Sequence, residues 1–119
     1  MSKQKAPYNL EDRTAVFGEA VIAFAKRIPV SPVTMPLISQ LVRSATSIGA
    51  NYAEADDAES KKDFRHKIGI CRKESKETKH WLRMVAASED SLRTDARMLY
   101  KEAKELNLIF GAIRRSCDE

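Results

Sequence analysis

The fold is decided between residues 61 and 113, KKDFRHKIGICRKESKETKHWLRMVAASEDSLRTDARMLYKEAKELNLIFGAI. Phe64, Ile68, Cys71, Ser75, Thr78, Leu82 and Val85 alternate steps of four and three, and so do Leu92, Ala96, Leu99, Ala103, Leu106, Phe110 and Ile113. That spacing puts each set on one face of an α-helix. Between the two sets, Ser88 to Ser91 offers capping residues over too few positions for anything but a tight reversal, so the helices are predicted to lie antiparallel. A helix of about 28 residues from Ser60 reaches roughly 42 Å at ~1.5 Å per residue.

Upstream, the acidic run Asp56, Asp57, Ala58, Glu59 leads to Ser60, a helix N-cap with Asp63 placed to reach back to it. Before that run, Ile38, Leu41, Ala45, Ile48, Tyr52 and Ala55 again step by three and four. The one Pro-rich stretch, Ile28 to Pro36, separates these from Leu10, Phe17, Val21, Phe24 and Ile28, with Asn9 as N-cap. No strand pattern competes. Four apolar stripes joined by short connections imply an all-α, up-and-down antiparallel four-helix bundle, one domain over residues 1–119 with residues 1–8 flexible.

Composition agrees with this. The chain has 119 residues, 43% hydrophobic and 32% charged, with four Gly and four Pro, which excludes a disordered tail or a collagen-like repeat. No apolar run approaches the ~18 residues that span a bilayer, and no leader-like segment opens the chain, so no membrane partner and a cytoplasmic location are expected. Its two cysteines, Cys71 and Cys117, make no disulfide framework. The net charge of +4 is unevenly placed. Between Lys61 and Ser88 nine Lys/Arg face three acids, so this segment carries +6 and the remainder −2.

The charges follow the helical period. One residue past each seam position of the third helix come Arg65, Gly69, Arg72, Lys76, Lys79 and Arg83; on the fourth, Arg93, Arg97, Lys104 and Arg114 are interrupted by Tyr100 and Asn107. Such stripes are either solvated faces or phosphate-binding rows whose affinity depends steeply on salt. Arg65, Arg72, Lys76, Lys79 and Arg83 are the leading candidates for phosphate contact, with Arg93, Arg97 and Lys104 secondary. One residue before the third seam lie Ile70, Glu74, Glu77, Trp81 and Met84. Ile70, Trp81 and Met84 either widen the apolar face for self-association or pack at the rim of their own bundle. Beside the second seam, Gln40, Ser44, Ser47, Asn51 and Glu54 form a polar row near Arg43 and Gly49. Polar groups at a packed boundary require partners. Gln40, Arg43, Ser47, Asn51 and Glu54 are therefore expected to build a network with Glu77, and with Glu74 or Lys73; a ligand site is the alternative.

Catalytic constellations are thin. Glu77 and His80 make one Glu-x-x-His, whereas di-iron bundles need two plus further carboxylates, and His66 is preceded at the matching position by Asp63. No Gly-rich phosphate loop, nucleophile elbow or zinc-spaced Cys pair occurs. No catalytic residue, metal or cofactor is expected, and Cys71 reads as a small core residue.

The run Ser39-Gln40-Leu41-Val42-Arg43-Ser44-Ala45-Thr46-Ser47-Ile48-Gly49-Ala50-Asn51-Tyr52-Ala53-Glu54, then Lys62-Asp63-Phe64 and Glu77-Thr78-Lys79-His80-Trp81-Leu82, resembles the four-helix-bundle proteins encoded in intervening sequences of bacterial 23S ribosomal RNA genes. The likeness extends from the first helix to about Ile113. It implies a bacterial homopentamer without enzymatic activity. The architecture is also similar to the accessory variability determinant of diversity-generating retroelements, which implies binding of nucleic acid and of a reverse transcriptase. Ala55 departs from the pattern, which usually has Gly after the Glu. The reading is a homo-oligomer that binds RNA or DNA without base specificity; the alternative is a protein-interaction scaffold or accessory subunit.

Overall fold

The computed structural model describes residues 9–118. Four α-helices follow one another: α1 (Leu10–Ala25), α2 (Thr34–Asp56), α3 (Lys61–Ser88) and α4 (Arg93–Ser116). Among the described residues there is no strand. The expected flexibility of residues 1–8 lies outside them. Successive helices pack side by side and α4 returns to α1, closing an up-and-down bundle of 45 × 23 × 20 Å.

Cross-helix pairs show the direction of each neighbour. Lys67 meets Glu54, Cys71 meets Ile48 and Thr78 meets Ser44, rising on α3 as they fall on α2. Arg72 meets Asn107 and Lys79 meets Tyr100 between α3 and α4, while Arg13 of α1 meets Glu102 of α4, and Arg27, just past the end of α1, meets Asp95. Every adjacent pair is antiparallel.

The seams bury as their spacing requires. Leu41, Ala45, Ile48, Ile68, Cys71, Leu82, Val85, Ala103, Leu106 and Phe110 are all at 0–1% exposure. Phe110, the largest of these, stacks at a tilt on Tyr52, with centroids 6.0 Å apart. One core position escaped the pattern because it is polar. Thr14 fills the step between Leu10 and Phe17 at 1% exposure, and its hydroxyl donates to the Leu10 carbonyl at 2.7 Å, so burial leaves no unmet bond. Gly49 admits this side chain: a Cβ there would lie 3.3 Å from Thr14 Oγ1. Ser44 and Thr78 hydroxyls meet at 2.9 Å in the α2–α3 seam, and each also reaches a carbonyl of its own helix.

The helix ends are built from local side chains. Asn9, at φ 42°, accepts from the Asp12 amide at 3.4 Å and starts α1. In the Pro-rich turn, Ser31 Oγ accepts from the Val33 and Thr34 amides, and Thr34 donates to the Pro29 carbonyl at 2.6 Å. Ser60 accepts from the Asp63 amide at 3.0 Å. The reversal between α3 and α4 is as tight as expected, but its serines do not cap α4. Ser88 Oγ donates to Val85 and Ser91 Oγ to Glu89, and a 3₁₀ turn over Asp90–Leu92 leads into the helix. Replacing Ser60 by Ala removes the cap of α3 and is expected to lower stability by about 1 kcal/mol, read as a urea or thermal midpoint shift. An unchanged midpoint would mean that the Lys61 end of α3 contributes nothing to the cooperative unit.

Candidate nucleic-acid interface

Because α3 and α4 run antiparallel, the flank one residue past each seam faces its counterpart, and the two cationic stripes merge into a single groove. Arg114 Nε sits 3.4 Å from where a Cβ on Gly69 would stand, and Arg72 Nε 3.6 Å from the same point on Gly111. One turn further, Asn107 donates to the Arg72 carbonyl at 2.8 Å. Lys79 Nζ then lies 5.9 Å from the centre of the Tyr100 ring. Arg83, Arg93, Arg97 and Tyr100 line a 440 Å³ hollow floored by Leu82 and Ala96. No groove position on either flank is acidic.

The acids of α4 are engaged elsewhere. Glu102 pairs with Arg13 of α1 and Asp95 with Arg27 just beyond its end, each at 2.7 Å, and Glu105 lies 3.7 Å from Arg13. Within the strongly basic segment Lys67 is diverted to Glu54 at 2.6 Å. Of the eight predicted phosphate contacts, Arg72, Lys76, Lys79, Arg83, Arg97 and Lys104 form no ion pair with any described residue. Lys79 is half-buried beside Tyr100 and the other five are exposed. Arg65 and Arg93, at the two ends, are tied to Asp118 at 2.8 Å and Asp90 at 2.9 Å. Both pairs are exposed, where such contacts contribute about 0–1 kcal/mol and are readily exchanged.

The expected polar network on the α2–α3 side is present in part. Arg43 is its centre: its guanidinium binds Glu77, reaches Glu74 at 3.3 Å, and donates from its Nε to Gln40 Oε1 at 3.0 Å. The Trp81 indole donates to Glu77 at 3.1 Å. Ser47, Asn51 and Glu54 do not join it, which corrects the sequence reading. Ser47 donates to the Arg43 carbonyl and Asn51 to the Ser47 carbonyl, so short polar side chains satisfy themselves on their own helix. Glu54 is drawn off to Lys67. Burial opposes ionisation of Glu77, but the bonds from Trp81 and then Arg43 outweigh it and hold the carboxyl below the usual carboxylate range. For Arg43 the Glu77 bond outweighs desolvation and raises the guanidinium pKa.

Trp81, Ile70 and Met84 are half-buried, and Trp81 packs on the core of its own chain. The large apolar side chains most open to solvent lie elsewhere, including Val16 at 52% and Met98 at 65% beside the α1–α4 edge. Burial pushes the Cys71 thiol up to about 12, so it is no thiolate nucleophile at neutral pH. Glu77 is held by Arg43 and Trp81, while exposed His80 meets the Trp81 ring edge-on at 4.8 Å.

Fold and site together define an up-and-down four-helix bundle that presents a cationic groove between its last two helices. The chain belongs to the 23S rRNA-intervening sequence protein family, whose pattern it matches over residues 11–112. It is similar to a crystal structure from Bacteroides thetaiotaomicron, described as a protein with unknown function from the S23 ribosomal protein family. The two share 30% identity over 87% of this chain and 96% of that one, with a TM-score of 0.76. No curated protein matches the chain.

Proposed function

We propose that the chain is a non-enzymatic, homo-oligomeric bundle that binds RNA or DNA without base specificity through the α3–α4 groove. The observation that carries this reading is the fate of the charges: the acids of α4 are bound by Arg13 and Arg27 on the side away from the groove, and Arg72, Lys76, Lys79, Arg83, Arg97 and Lys104 along it are left unpaired. Phosphate contacts by such side chains release counterions and are indifferent to sequence. Tyr100, beside Lys79 and the arginine-lined hollow, supplies a ring on which an unpaired base can stack. The test is a binding titration at two salt concentrations with the groove charges reversed.

Self-association rests on two apolar edges. Trp81, Ile70 and Met84 belong to the α2–α3 side, and Val16, Met98 and Leu99 to the opposite, α1–α4 side. Unlike edges on opposite sides can join head to tail between copies, a contact that closes a ring when the rotation between subunits divides a full turn. The cationic groove remains on a third side of each subunit. The resemblance drawn from the sequence implies five copies. Light scattering is expected to give a multiple of the 13.4 kDa chain mass, reduced by Val16→Glu with Met98→Glu. A 13.4 kDa species in micromolar solution overturns the ring.

The exposed α1–α4 edge also favours a second reading, a protein-interaction scaffold such as an accessory subunit of a reverse transcriptase. Co-purification of such an enzyme after nuclease treatment distinguishes it.

A further inference from the structure

Three arginines lie near the end of the groove. Arg72 crosses from α3 to α4 over Gly111, and Arg114 crosses in the other direction over Gly69, one turn along. Arg115 closes the group. Its Nη1 and the Nε of Arg72 each lie 3.6 Å from the Cβ position of Gly111, so the two guanidinium groups are no more than twice that distance apart. Gly69 and Gly111 lie directly beneath these crossings, with the arginine nitrogens at van der Waals distance from their Cβ positions.

None of the three has an ion-pair partner among the described residues. Asp118, which follows in the chain, is bound to Arg65. The Nε of Arg114 is buried and has no acceptor. A buried donor without a partner is uncommon in a folded protein and points to a missing acceptor. The negative end of the α4 dipole offsets part of the repulsion among the cations. It leaves the Arg114 donor unmet.

We propose that Arg72, Arg114 and Arg115 form a site for a tetrahedral phosphate dianion, and that its occupant is the terminal phosphate of the nucleic acid lying in the groove. Guanidinium forks match phosphate oxygens in pairs, so one oxyanion can be shared among such side chains. A terminal phosphate carries ~−1.5 to −2 at pH 7, about twice the charge of an internal diester. The site lies at the last turn of α4, where the groove ends and a strand end can be accommodated. This assignment refines the groove reading, and the two can fail separately.

The experiment compares one oligonucleotide bearing 5′-phosphate, 3′-phosphate or hydroxyl ends, and adds inorganic phosphate alone while following the Gly69 and Gly111 amides by NMR. A phosphorylated end is expected to bind about tenfold more tightly. Arg115→Ala and Arg114→Ala should abolish that preference, whereas Lys79→Ala should weaken all three ligands alike. Equal affinity for phosphorylated and hydroxyl ends overturns the terminal-phosphate site and leaves the groove reading standing. If no oligonucleotide binds but inorganic phosphate shifts both glycine amides, the groove reading falls and the cluster stands as a site for free phosphate. Silence from phosphate and oligonucleotides together overturns both.

Discussion

Replacing Arg72, Lys76 and Lys79 together by Glu is expected to reduce nucleic-acid affinity by roughly two to three orders of magnitude at ~0.1 M salt, and to flatten the dependence of log K on log salt by about three. The estimate follows from counterion release, where each phosphate neutralised contributes about 0.9 to the slope on duplex DNA. Seven unpaired groove cations, Arg114 included, predict a wild-type slope of roughly −6 on the same basis. None of the three replaced residues has an ion-pair partner, so folding should survive and circular dichroism should be unaltered. Lys26→Glu, exposed just beyond the end of α1, provides the control for net charge. A triple variant with the wild-type slope, or a Lys26 variant with the same loss, would remove the groove from the mechanism.

Arg43→Ala should have the largest effect on stability, about 2–3 kcal/mol. The reason is the carboxylate left behind. The Glu74 side chain is only 10% exposed and Arg43 is its ion-pair partner, so truncation strands a buried charge. The cost falls below the ~3–5 kcal/mol of fully buried pairs because Arg43 itself is 44% exposed. Replacing Arg43 and Glu74 together by Leu should recover most of the loss, since removing both partners leaves no orphan charge. Full recovery by Glu77→Gln instead would show that the Glu77 bond, not the Glu74 burial, carries the energy.

The same network sets an acid dependence. The folded-state pKa of Glu77 is lowered, so its contribution is fully present above the unfolded value of ~4.3 and is lost as pH falls through the folded value. Wild-type stability should therefore decline below about pH 4.3, and Arg43→Ala should decline less over that interval. Urea midpoints at pH 6 and pH 3.5 read the difference.

Helix number, polarity of packing and most of the core were legible because each apolar set repeats at the helical period. Asn9 and Ser60 were legible as caps because short oxygen-bearing side chains can satisfy a helix start from one position. Thr14 was missed, since a hydroxyl that bonds its own helix is apolar in effect and polar in name. The position of Arg114 over Gly69, and of Arg72 and Arg115 over Gly111, was not legible, because the two glycines stand as gaps in otherwise cationic or polar stripes and spacing does not show which side chain lies over them. Ser47 and Asn51 were misassigned because spacing cannot tell a polar side chain that crosses a seam from one that folds back on its own carbonyls.

Taken alone, the order of residues determined the bundle and the presence of two cationic stripes, since both are periodicities along a chain and need no partner to exist. Only the packed structure decided that the stripes form one groove, that Glu102 and Asp95 answer to Arg13 and Arg27 rather than to that groove, and that Glu74 is buried under Arg43. Those are distances between residues far apart in sequence, set by helix register and by which side chain reaches a given charge first.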